Sequence, residues 1–119
     1  MNKVSHNPKI LILYGPNLNL LGRLNKNQPN MDKLNKQIRK KAKDFGFKVI
    51  IFQSNEEGRA TTLVQRQRKK IRGIILFPGP WKNSGHVLFD ALEILKIPYV
   101  TVSEKIGKTI FQGAQNIIN

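Results

Sequence analysis

The chain has 119 residues, with 21 Lys or Arg, seven Asp or Glu, two His and no Cys, for a formal net charge of +14 at pH 7. That length suits one domain over residues 1–119 with a core of its own, and the missing cysteines exclude disulfides, thiol redox chemistry and iron–sulfur ligation. No apolar run approaches the roughly 20 residues of a membrane span, and the polar tail at 1–8 is too short for a signal or transit peptide.

Strands and helices alternate along the chain. Lys9 to Tyr14 is a continuous apolar run, the signature of a buried parallel strand. A polar loop rich in Asn and Gly follows from Gly15 to Asn30. Met31 to Phe45 predicts a helix with an inward stripe of Leu34, Ile38, Ala42 and Phe45, stopped by Gly46. Phe47 to Phe52 predicts a second strand, Gln53 to Gly58 a turn, and Arg59 to Ile71 a second helix with Ala60, Leu63, Val64 and Ile71 inward.

Gly73 to Phe77 is a third buried strand, ended by Pro78-Gly79-Pro80. Ser84 predicts the cap of a third helix, with Val87, Leu88, Ala91, Leu92 and Leu95 on its inner face. Ile97 to Val102 is a fourth strand, Lys108 to Phe111 a short edge strand, and Gln112 to Ile118 a stub of helix.

Strands joined by helical crossovers imply a parallel sheet with helices on both faces. At this size the architecture is a flavodoxin-like three-layer α/β sandwich, strand order 2-1-3-4 with room for a fifth. Ligands of such sheets bind beyond the carboxyl ends of the strands, where the strand order reverses. That points to the loop after Tyr14, the turn at Gln53, the Pro78–Gly85 loop and the segment after Val102.

Two of these loops carry most of the information: Gly15-Pro16-Asn17-Leu18-Asn19-Leu20-Leu21-Gly22 and Phe52-Gln53-Ser54-Asn55-Glu56-Glu57-Gly58. Asn17, Asn19 and Asn55 offer amide donors and acceptors to a small polyol or an anion. The same amides also suit the unpaired backbone groups of a loop, and the residues alone leave both readings open.

Together these motifs resemble the type II 3-dehydroquinate dehydratase family. The resemblance extends to Gly73–Gly79, Asp90-Ala91-Leu92 and Ile97-Pro98, and it implies the flavodoxin-like fold. It also implies an elimination of water from 3-dehydroquinate through an enolate. In that chemistry an arginine-activated tyrosine takes the proton, a histidine protonates the leaving hydroxyl, and an asparagine holds a water against the enolate.

Carried over position by position, the resemblance keeps Asn17 as that asparagine and Asp90 as the helical aspartate that reaches a neighbouring subunit's site. The lid, Arg23 to Asn30, contains no tyrosine, and Arg23 stands one position off the expected arginine. Phe77 and Asn83 stand where the third loop of the family has asparagine and histidine. Thr101 and Ser103 replace the glutamate and the catalytic histidine after the fourth strand, and the segment beyond them reads as deleted. Neither hydroxyl titrates near neutrality. His86 reads as a solvent-facing helix residue, and Tyr14 as a plug in the emptied pocket. The expectation is a catalytically inactive protein, or pseudoenzyme, with a vestigial cleft of Asn17, Asn19, Gln53, Asn55, Pro78, Gly79, Asn83, Asp90 and Ser103. No catalytic residue, cofactor or metal is expected, since two distant histidines and few carboxylates make no ligand cluster.

Residues 23–72 carry 15 bases against four acids. Lys36, Arg39, Lys40 and Lys43 lie on the first helix. Arg66, Arg68, Lys69, Lys70 and Arg72 crowd the end of the second, where bases also suit the helix dipole. Arg23, Lys26 and Lys82 surround the cleft mouth, with Trp81 either a stacking surface or a packed ring. A surface this basic usually meets a polyanion. The expected role is that of a structural, RNA-binding component of a ribonucleoprotein, a ribosome above all, in contact with rRNA and neighbouring proteins. It is expected to bind no membrane and not to form the family's dodecamer. AT-rich codons for Lys, Asn and Ile suit an organelle-encoded, mitochondrial subunit, with the cytoplasm as the other setting. The alternative is a diverged but active 3-dehydroquinate dehydratase.

Overall fold

The structure, a computed structural model, describes residues 8–20 and 30–102. The tail at 1–7, most of the lid with Arg23 and Lys26, and everything from Ser103 onward lie outside the described residues, including the expected fifth strand and terminal helix. In chain order the elements are β1 (Lys9–Tyr14), a 3-10 turn at Leu18–Leu20, α1 (Met31–Phe45), β2 (Lys48–Gln53), α2 (Glu57–Gln67), β3 (Gly73–Phe77), α3 (Trp81–Ser84), α4 (His86–Leu95) and β4 (Tyr99–Thr101).

The four strands form one parallel sheet in the order β2-β1-β3-β4. β1 is central, which explains its unbroken apolar run: Ile10 through Tyr14 are all 0% exposed. Alternate side chains of a strand point to opposite faces. Ile10, Ile12 and Tyr14 therefore meet Leu34, Ile38 and Ala42 of α1 on one face. Leu11 and Leu13 meet Ala60 and Val64 of α2 and Leu88 and Leu92 of α4 on the other.

Local chemistry sets the ends of α1. Asn30 Oδ1 accepts the Lys33 N–H at 2.9 Å as the N-cap. Gly46 adopts φ 81° just past the end, and the Phe47 N–H closes back on the Ala42 carbonyl at 2.9 Å. Phe45, expected on the inner stripe, is 59% exposed, because Phe47 fills that end of the core instead.

Other expectations need correction. α2 begins at Glu57 and ends at Gln67, with a turn continuing to Ile71. The third helix is two helices, broken at Gly85. Ser84 caps neither, since its hydroxyl donates to the Pro80 carbonyl at 3.2 Å. Val87 is exposed, lying about a quarter turn from the centre of the Leu88–Ala91–Leu92 face. Among the described residues no helix is long and apolar enough to cross a membrane, and no group of three or more His, Asp or Glu is placed to hold a metal ion.

Candidate functional site at the carboxyl ends of the strands

β1 and its neighbours end level with one another, and backbone bonds tie their loops together. The Gly15 N–H donates to the Phe77 carbonyl at 2.8 Å and the Ser54 N–H to the Tyr14 carbonyl at 3.0 Å. On the far side the Val102 N–H donates to the Leu76 carbonyl at 2.8 Å. Gly15 must be glycine here: a Cβ would lie 2.4 Å from the Pro78 carbonyl oxygen.

A knot of amides braces the first two loops. The Gln53 Nε2 donates to the Gly15 carbonyl at 3.2 Å and to Asn55 Oδ1 at 3.0 Å. The same Asn55 oxygen accepts the Asn17 backbone N–H at 3.0 Å. Asn17 sits in the left-handed region at φ 69°, where asparagine is among the few side chains that settle readily. Ser54 is buried and reciprocates with the backbone of Glu56, its hydroxyl donating to the carbonyl and accepting from the N–H. The third loop enters α3 through Pro78 and Gly79, whose carbonyls accept the Trp81 and Lys82 N–H groups at 3.0 and 3.1 Å.

The structure thus brings together Asn17, Gln53, Asn55, Pro78 and Gly79. Asn19 lies exposed on the 3-10 turn, and Asn83 exposed on α3. Asp90 is elsewhere: it lines a separate cavity with His86, Val87, Phe89, Glu93 and Tyr99, beside α4 and β4. His86 is exposed there, as expected from its place in the first turn. Ser103 lies outside the described residues.

Tyr14 and Phe77 fill the space beneath the loops. Their rings pack with centroids 4.8 Å apart at 30°. The Tyr14 hydroxyl donates to Asn35 Oδ1 at 3.1 Å, and burial pushes it well above the usual phenol range. Such a group is a poor base at neutral pH. Asn35 went unnoticed in the sequence. Its only signal is position, as a polar residue flanking the apolar stripe of α1 between Leu34 and Ile38. Trp81 is 4% exposed and packs with the α2 and α4 side of the core, so it offers no stacking surface.

Among the described residues, the basic side chains do not form one surface. Lys36, Arg39, Lys40 and Lys43 are exposed on α1, over one face of the sheet. Arg66, Arg68, Lys69, Lys70 and Arg72 are exposed at the end of α2, over the other. Lys82 stands apart on α3.

The fold and its site define a flavodoxin-like α/β protein with a polar loop cluster at the point where strand order reverses. The chain belongs to the class II dehydroquinase family: the family described as Dehydroquinase class II matches residues 8–110. The 3-dehydroquinate dehydratase of Halothermothrix orenii is 36% identical over 97 residues, covering 79% of this chain and 66% of that protein. The 3-dehydroquinate dehydratase of Caldicellulosiruptor bescii is 37% identical over 98 residues, covering 79% and 68%. The crystal structure of a type II dehydroquinase from Butyrivibrio crossotus superposes with a TM-score of 0.76 at 29% identity, covering 82% of this chain and 70% of that one. The chain spans about two thirds of the length of the curated relatives it matches.

These relatives overturn the expectation of an inactive, RNA-binding ribosomal component and of rRNA and ribonucleoprotein neighbours as its partners, along with the assumption that it stands apart from the family's own assembly. They are named as enzymes, and they favour the alternative of a dehydratase. The physical reason is that net charge describes solubility and encounter rather than fold or site. Among the described residues, the bases of α1 and those at the end of α2 lie over opposite faces of the sheet.

Proposed function

We propose that the chain acts as a 3-dehydroquinate dehydratase, with substrate held by the loops after β1, β2 and β3. The observation that carries this reading is Asn17. Its backbone is braced at φ 69° by Asn55, while its exposed side-chain amide has no hydrogen-bond partner among the described residues. A free amide on a rigid backbone is suited to hold a hydroxylated ring or a water against it. The relatives' shared name supplies the substrate and the reaction.

The elimination removes a proton next to the ketone, forming an enolate. The hydroxyl then leaves as water once it is protonated, so a base and an acid must serve opposite sides of the ring. At the positions that the family resemblance gives to this machinery, the chain has Phe77, Asn83, Thr101 and Ser103, and no tyrosine in 23–30. Buried Tyr14 does not replace it. Proton transfer then falls to less well matched groups, and turnover is slower than that of a site with a tuned pair by roughly 10²- to 10⁴-fold per group.

The test is to mix the purified full chain with 3-dehydroquinate and follow the conjugated ketone product by its ultraviolet absorbance. Turnover that is abolished in Asn17→Ala supports the proposal. Folded protein that forms no product above the buffer rate overturns it.

A further inference from the structure

A second site lies at the opposite end of the sheet from the loop cluster. A cavity of about 400 Å³ opens where α1 ends and β2 begins, lined by Arg39, Ala42, Lys43, Phe47, Lys48 and Val49 around Gly46. Its floor is apolar: Ala42 and Phe47 are buried, and Val49 is half-buried. Its rim carries three cations. None of the three has an ion-pair or hydrogen-bonding side-chain partner among the described residues.

The dipole of α1 does not account for this rim. Cations suit the last turn of a helix, and Lys43 is there, but Arg39 is a full turn earlier and Lys48 belongs to a strand. Arg39 and Lys43 are four residues apart and so share one side of the helix. Lys48 comes from the next element, so the cations converge from two sides on one apolar floor.

We infer that this cavity binds a small organic anion with a flat apolar body, of the class of ring carboxylates. The guanidinium of Arg39 matches a carboxylate in a bidentate geometry and balances its single charge, and the two ammonium groups add a positive field that draws the anion to the rim. The apolar floor takes the ring. A fully hydrated inorganic anion would leave that floor uncovered, and a neutral ring would leave the cations unanswered. The site is independent of the dehydratase reading, since it shares no residue with the loops after β1, β2 or β3.

The test uses isotope-labelled full chain and amide chemical shifts, titrated separately with 4-methylbenzoate, 4-methylbenzyl alcohol and inorganic phosphate. The expected result is saturable movement of the Arg39, Lys43, Gly46, Lys48 and Val49 amides with 4-methylbenzoate. The alcohol and phosphate should bind about tenfold more weakly or worse, and Arg39→Gln with Lys48→Gln should weaken the carboxylate about tenfold. Both positions are exposed, so the double variant keeps its fold, checked by the unchanged shifts of β1 and β3. Three results would overturn the inference: no movement of these amides, undiminished binding in the double variant, or phosphate binding as tightly as the ring carboxylate.

Discussion

The Oε2 of Glu57 accepts the backbone N–H of Leu88 at 2.8 Å, across 31 residues of chain. Leu88 is the third residue of α4, whose N-cap is Gly85 and has no side chain to offer. The capping oxygen therefore comes from another helix. Glu57 also stands in the first turn of α2, where a negative charge suits the dipole. One carboxylate thus serves two helix starts and ties α2 to α4 beside the third loop. Glu57→Ala should lower unfolding stability by about 1 kcal/mol, the usual effect of losing an N-cap. Glu57→Gln keeps an acceptor and should lose less, and urea unfolding of the pair measures the difference.

The amide knot makes Asn55 the support of the first loop, where the proposed substrate would rest. Its Oδ1 receives both the Asn17 N–H and the Gln53 amide. Asn55→Ala leaves Asn17 unbraced in a backbone region that costs roughly 1–2 kcal/mol for most side chains. The expected outcome is a KM raised by about tenfold with stability lowered by about 1 kcal/mol. Asn55→Asp retains the acceptor and should show the smaller rise in KM.

Gly15 and Gly58 make a contrasting pair. A Cβ on Gly15 would meet the Pro78 carbonyl oxygen at 2.4 Å, whereas one on Gly58 meets nothing within 4 Å. Gly58 lies in α2, where alanine is the better helix former. Gly15→Ala should destabilise by about 1–3 kcal/mol through overpacking and push the first and third loops apart. Gly58→Ala should stabilise by roughly 0.5–1 kcal/mol. Thermal or urea unfolding reads both signs.

Tyr14 is a structural residue, and pH reports it. The ordinary phenol value is 10.0, and burial raises it in the folded chain. Below pH 10 the hydroxyl is protonated in both states, so it adds no pH dependence. Above pH 10 the unfolded chain releases its proton first, so stability falls as pH rises. The stability of Tyr14→Phe should fall less steeply above that point. At neutral pH the substitution should cost about 0.5–1.5 kcal/mol for the lost bond to Asn35. Turnover should stay within about twofold, since a group held neutral is not the base; a large loss of kcat would assign Tyr14 to the chemistry.

The charge of +14 also predicts kinetics. The proposed substrate, 3-dehydroquinate, is a carboxylate, and a positive field would speed its encounter with the loop cluster. Raising salt should lower kcat/KM while leaving kcat nearly unchanged, because screening acts on approach. Lys82 is the described base nearest in sequence to the third loop. Lys82→Gln should reduce that salt dependence more than Lys69→Gln at the far end of α2, as steady-state rates at several ionic strengths would show.

Much of the architecture was legible because its signals are local. The apolar runs of β1 and β3 announce strands buried on both faces, and Gly46 announces the end of α1. The paired loop motifs were legible as well, and they led to the family. Other features depend on distant atoms. The break at Gly85 and the burial of Trp81 follow from how α3 packs on the sheet, and helical periodicity does not carry that information. Glu57 lies in the second loop motif, but its part in starting α4 depends on an N–H 31 residues away. The density of bases along 23–72 pointed to a polyanion, but sequence does not say which bases share a face, and α1 and α2 cover opposite faces of the sheet.

By itself, the order of residues determined the alternation of strand and helix, the central place of β1 and the loops on which a ligand would rest, since each follows from short-range pattern and turn chemistry. Only the tertiary structure decided which amides brace Asn17, which carboxylate starts α4 and where the cations fall. Those are relations between groups some 30 or 40 residues apart, set by the register of the sheet and the packing of helices upon it.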